Sequence, residues 1–209
     1  MSIQNNNPPD LTVNESLDMF VNDWLSLHRI QQNAECLSIP FDAAWPSVCY
    51  HSIDSADSGS VFNDGDACYW SPVKQHQNPA QQDMFHRLGD ALGLDIHPDL
   101  AAFYSRYWSQ HLTATTPDGE LELIQVWNQD DMERLRSNLL GQAMDKRKRK
   151  QPLSFFFAVT SPEDGMLCVN NDSGEVWFEL PGKKPVRKIA DSLPLFLQSL
   201  TPVLQDPDN

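Results

Sequence analysis

Between Asp118 and Glu133 the chain carries six acids and no base: Asp118, Glu120, Glu122, Asp130, Asp131 and Glu133. Carboxylates at that density can capture a cation, a basic peptide above all. Just beyond them, Lys146-Arg147-Lys148-Arg149-Lys150 is the densest positive run in the chain. That run can complement the end of a helix or attract anionic lipid headgroups. Asp130, Asp131 and Glu133 fall in a predicted first helical turn, where negative charge offsets the macrodipole by ~0.3–1 kcal/mol. The dipole does not account for Glu120 and Glu122. Strand alternation puts them on one face, with Leu121 and Leu123 on the other. In Glu175 to Leu180 the same alternation sets Trp177 between Glu175 and Glu179, opposite Val176, Phe178 and Leu180. Trp177 then either meets a cationic, partly apolar segment or lies beneath a helix as core.

Other chemistries find little footing. The six histidines are dispersed, with no H-E-x-x-H and no zinc-type Cys/His spacing. Asn63-Asp64-Gly65-Asp66 lacks the remainder of a calcium loop. No G-x-S-x-G elbow, Walker loop or dinucleotide fingerprint occurs. Cys68, beside Tyr69 and Trp70, reads as core. The expectation is therefore no catalytic residue, no metal and no cofactor.

Across 209 residues the formal charge is −14. Residues 1–144 hold 20 acids and 6 bases, whereas 145–209 hold 9 of each. This excess disfavours nucleic acid, which is bound by neutralising phosphates, and favours a basic partner. Cys36, Cys49, Cys68 and Cys168 form no C-x-x-C and suit reduced, buried thiols in a cytosolic protein. The polar start, Met1 to Pro9, does not read as a signal peptide, and no apolar stretch is long enough to span a bilayer.

These residues need elements to position them. Residues 1–11 read as a disordered tail, 12–204 as one domain and 205–209 as a C-terminal tail. Thr12 and Glu15 make a capping box for a helix running to about Gln32 with Leu17, Phe20, Val21, Trp24 and His28 on one face. Residues 34–78 are expected to be irregular, with a surface loop over 50–66 and a short strand at Ala67–Trp70. Asn78-Pro79 opens a helix closed by Gly93, and Pro98 opens a short one. Strands over 108–115 and 120–127 meet at an Asp118-Gly119 hairpin. Asn128 and Asp131 then cap a helix to about Met144. Leu153 to Val159 reads as a central strand. After a Ser161–Gly165 turn, 166–170 and 175–180 form a hairpin. A final helix carries Leu193, Phe196, Leu197 and Leu200 and stops at Pro202. The pattern is α+β: a single domain with a mainly antiparallel central sheet flanked by helices.

The collinear set Cys68-Tyr69-Trp70, Phe103-Tyr104, Leu123 to Gly141, the basic segment into Pro152-Leu153, and Asn171 to Val176 resembles the Syd family of SecY-interacting proteins. That family is related to the SUKH (SMI1/KNR4-like) superfamily, and the resemblance runs from about Leu11 to Leu204. It implies a SUKH-like fold and a non-catalytic cytosolic protein, peripheral to the inner membrane. Such a protein binds basic SecY loops through an acidic concave surface and regulates or polices the Sec translocase. The contact is expected at Asp66, Asp118, Glu120, Glu122, Asp130, Asp131 and Trp177, with Lys146 to Lys150 facing lipid. The superfamily also suggests an alternative, an immunity-like protein that neutralises a basic toxin.

Overall fold

Thr12 and Glu15 close a reciprocal cap. The Thr12 N–H and hydroxyl each donate to the Glu15 carboxylate at 2.8 Å, and the Glu15 N–H donates to Thr12 Oγ1 at 3.3 Å. From this cap runs α1 (Val13–Ile30), which buries Leu17, Phe20, Val21, Trp24 and His28. The computed structural model describes residues 11–30, 37–52, 62–76, 79–161 and 165–204. The N-terminal tail up to Asp10, Cys36, the centre of the 50–66 loop, the Asn78 cap, the middle of the 161–165 turn and the tail after Leu204 lie outside the described residues.

The short strand expected at Ala67–Trp70 is β3, and two strands where irregular chain was expected, β1 (Ser38–Pro40) and β2 (Tyr50–His51), pair with it in an antiparallel sheet of order β1-β3-β2. Outer strands of two and three residues are too short to show a two-residue period. Pro40 is tolerated because β1 is an edge strand. Next come β4 (Val73–Lys74), α2 (Pro79–Leu92), α3 (Pro98–Tyr104) and β5 (Tyr107–Trp108), which pairs back with β4. Gly93 ends α2 at φ 64°, the left-handed C′ position expected.

The hairpin of β6 (Leu112–Thr116) and β7 (Gly119–Leu123) turns on Pro117-Asp118, not on Asp118-Gly119, since Thr116 pairs with Gly119. Pro117 presets the negative φ of the first turn position, and Gly119 takes φ 135° beyond it. β7 ends at Leu123, four residues short of the expected Trp127, and Val126 makes only a parallel bridge to Trp108. Then α4 (Gln129–Lys148) continues past Met144 through most of the basic run. β8 (Ser154–Ser161), β9 (Gly165–Asn170), β10 (Val176–Glu179), β11 (Arg187–Ala190), α5 (Leu193–Gln198) and β12 (Thr201–Pro202) complete the chain. The charged strand β11 was not expected.

The large sheet is antiparallel throughout, in the order β11-β10-β9-β8-β7-β6-β12, so the Phe-rich β8 is central as expected. Its edges are a short strand bearing Arg187 and Lys188 and a two-residue strand containing Pro202. One face carries Leu121, Leu167, Val169, Val176 and Phe178, and α5 packs there through Phe196. Rings from α3 and α5 converge on Phe157, with Phe103 at 5.6 Å and Phe196 at 5.5 Å. The opposite face carries Glu120, Glu122, Val159, Met166, Cys168, Trp177 and Glu179. α4 covers the part of it around Cys168 and Glu179, using Gln142 and Lys146. The molecule is an α+β domain built on one curled sheet.

Two local features give direct tests. Asp18 on α1 accepts from Arg106 Nε, Lys74 Nζ and the Tyr107 hydroxyl, all at 2.8 Å, tying α1 to β4 and β5. Partial burial alone would raise its pKa, but the bonds from Arg106, Lys74 and Tyr107 hold the carboxyl well below the carboxylate range. A depressed folded pKa stabilises above the unfolded value of about 4 and is lost as pH falls below it. Asp18→Asn should cost about 2 kcal/mol near neutrality. In urea titrations its deficit against wild type should narrow progressively below about pH 4. The second feature is Gly165, where an added Cβ would overlap the Phe178 ring and press on Thr160 Oγ1 at 2.9 Å. Gly165→Ala should destabilise by about 1–3 kcal/mol in the same assay, as overpacking does.

Candidate binding surface

Strand alternation in β7 holds as expected. Leu121 and Leu123 are buried, Glu120 is exposed and Glu122 is half-buried. Register sets Glu120 between Thr115 and Ser161, and Glu122 between Thr113 and Val159. The cross-strand neighbours are therefore hydroxyl and apolar groups. Among the described residues neither carboxylate has an ion pair, whereas Glu175 and Glu179 each have one and Asp18 and Glu133 each have two. Both acids line a groove of about 480 Å³ with His111, Thr113, Val159, Ser161, Val203 and Leu204. Val159, 39% exposed, gives it an apolar floor.

His111 stands in that groove and is exposed at its surface. Partial desolvation of the ring by the groove walls lowers its pKa, while Glu122 and then Asp131 pull upward. The net shift is downward, which favours the neutral imidazole. Its Nδ1 accepts from the Gln125 N–H at 3.2 Å, which leaves the proton on Nε2. Residue spacing missed His111, because it reaches the groove from the segment between β5 and β6. Val159 was readable as an outward position of β8, but Val203 and Leu204 meet it only through the pairing of β12.

The other candidate residues are employed differently. Asp131 caps α4: its N–H donates to Asn128 Oδ1 at 2.9 Å, and its Oδ2 accepts from the Trp127 N–H at 2.9 Å. Its charge still reaches the groove, as the effect on His111 indicates. Asp130 is exposed on the same helical turn. Glu133 binds Arg87 of α2 and Arg136, and the Arg87 bond is the main reason its carboxyl is lowered. Asp118 is engaged by Arg187 of β11 at 2.9 Å. That pair sits on a second cleft of about 320 Å³, which shares Glu120 and Leu121 and has Leu167, Phe178 and Phe196 in its wall. Asp66 is not drawn into either groove. It belongs to the small sheet's turn, where its Oδ2 accepts from the Asn63 N–H at 2.7 Å.

Two expectations need correction. Trp177 does not stand between two solvent-facing acids. It is half-buried, its Nε1 donates to Glu175 at 3.2 Å, and Glu179 is 2% exposed beneath α4. The basic run does not face outward as a unit either. Lys146 is 4% exposed and paired with Glu179, which also accepts from Ser154 Oγ at 2.5 Å. Arg147 donates to the Leu92 carbonyl, fastening α4 to the end of α2.

A family model described as Syd protein (SUKH-2) matches residues 14–202. The chain belongs to the Syd family. Among Syd-family relatives, Protein Syd of Pseudoalteromonas atlantica is 37% identical over 195 residues, covering 93% of this chain and 98% of the relative. Protein Syd of Shewanella frigidimarina is 37% identical over 201 residues, with 94% and 86% covered. That of Hahella chejuensis is 39% identical over 179 residues, with 85% and 86% covered. No helix among the described residues of this Syd-family chain is long and apolar enough to cross a membrane.

Proposed function

We propose that this Syd-family chain is a non-catalytic binding protein that grips Lys/Arg-rich cytosolic loops of SecY in the groove of Glu120 and Glu122. It would act as a peripheral regulator or quality-control factor of the Sec translocase at the cytoplasmic face of the inner membrane. The observation that carries this reading is that Glu120 and Glu122 stand on one face of β7, line one groove with an apolar floor and have no ion pair among the described residues. A Lys or Arg could lay its aliphatic stem on Val159 and set its charge between Glu120 and Glu122. Asp130 and Asp131 add to the field. Asp118 would contribute once Arg187 releases it. Asp66 and Trp177 are peripheral to the grip in this reading. Occupying those loops would compete with other translocase partners and sequester uncomplexed SecY.

Thiol chemistry supports the non-catalytic part. Burial pushes Cys49 up to about 11 and raises Cys68 and Cys168 as well, so little thiolate is present near neutral pH. The reading requires no cofactor and no nucleic acid. The relatives named above are Syd proteins, and none of them favours the immunity-like alternative.

The direct test is flotation with SecYEG proteoliposomes made from neutral lipid, against the same vesicles without SecYEG. SecY-dependent, salt-sensitive co-flotation is expected. Equal recovery with and without SecYEG would overturn the proposal.

A further inference from the structure

Two lysine-bearing segments far apart in sequence meet at one end of the molecule. Arg149, at the end of α4, donates from Nη1 to the Gly182 carbonyl at 3.0 Å, and Lys146 holds Glu179 at the end of β10. These contacts lay the close of α4 beside the loop joining β10 and β11. Arg149 is itself neutralised by Asp145 at 2.8 Å. The flanking Lys148, Lys150, Lys183 and Lys184 are exposed and have no ion pair among the described residues. Arg187 and Lys188 do not join them, being paired with Asp118 and with Glu175 and Asp191.

Three further observations bear on this tip. Lys150 sits at φ 55°, a left-handed position where the Cβ of any residue but glycine is disfavoured. Val186 is 56% exposed in the same loop, while its N–H is fixed to the Phe178 carbonyl at 2.9 Å. The carbonyl end of α4 contributes only about half a negative charge, which four lysines exceed.

We infer that this tip is a docking surface for an anionic phospholipid bilayer. Four unpaired cations, with an exposed aliphatic side chain in the same loop as Lys183 and Lys184, match headgroup attraction combined with shallow apolar contact. A bilayer suits the surface better than a nucleic acid does. It meets one tip only, and acids more than about 8 Å away are screened at physiological ionic strength. The surface is distinct from the Glu120–Glu122 groove and operates whether or not that groove holds SecY.

The experiment is co-sedimentation of the full chain with protein-free vesicles, either phosphatidylglycerol mixed with phosphatidylcholine or phosphatidylcholine alone. Binding to the anionic vesicles only, weakening as salt rises, is expected. Each lysine removed should lower partitioning about fivefold. Lys148→Gln/Lys150→Gln/Lys183→Gln/Lys184→Gln should therefore lose binding by on the order of a hundredfold or more. The four matching Lys→Arg changes should keep it, and unchanged thermal melting would show that both variants remain folded. Equal binding to both vesicle types, full binding by the Gln variant, or stronger binding to an RNA duplex than to anionic vesicles would each overturn the inference.

Discussion

Lys146→Ala should be among the most destabilising single changes in this protein, at about 3–5 kcal/mol. The substitution leaves Glu179, 2% exposed, with Ser154 as its remaining side-chain partner. A buried carboxylate that has lost its cation keeps its desolvation cost without the compensating attraction. Against a typical total of about 5–15 kcal/mol, such a loss should be evident in a urea titration. The double change Lys146→Met/Glu179→Leu distinguishes a broken pair from a broken core. It removes both charges while filling similar volume, so it should return stability to near or above wild type. A loss below about 1 kcal/mol for Lys146→Ala would mean the pair is hydrated, as surface salt bridges are.

Charge reversal in the groove should have the largest effect on binding. Glu120→Lys/Glu122→Lys changes the local charge by four units beside a floor of Val159 and hydroxyl groups. If basic loops dock there, attraction becomes repulsion, and affinity for SecYEG in neutral vesicles should fall by at least about a hundredfold. Folding stability should shift by no more than about 0.5 kcal/mol, because neither acid supports an internal partner. Wild-type binding should weaken as salt rises, with most of the change in the association rate. Asp66→Asn provides the contrast, since its turn lies outside the groove, and it should bind like wild type. Unchanged binding by the reversed variant would remove Glu120 and Glu122 from the contact.

Local features were legible where local physics decides them. The Thr12–Glu15 and Asn128–Asp131 caps, the stripe on α1, the central Phe-rich strand and the alternation of Glu120 and Glu122 all follow from spacing alone. What spacing did not disclose depends on distant partners. The basic run reads as solvated until Glu179, 33 residues beyond Lys146, is brought under α4. Asp118 reads as a free acid until Arg187, 69 residues away, reaches it across the curl of the sheet. Of the small sheet only β3 was legible; β1 and β2 were missed because strands of three and two residues carry too few positions for a period. The groove was half legible. Its acids lie on one strand, but His111, Val159 and Leu204 arrive from other segments.

The two borders of the large sheet limit how any partner can attach. One border is a two-residue strand containing proline, which lacks a donor, and the other carries Arg187 and Lys188. Neither offers the long, neutral rung of open amides that lets a foreign strand extend a sheet. A visiting segment must therefore be held by side chains standing on the sheet, not by backbone pairing at its rim. Recognition of that kind reads charge and shape more than extended conformation. It should accept a looped or helical cationic segment as readily as a straight one.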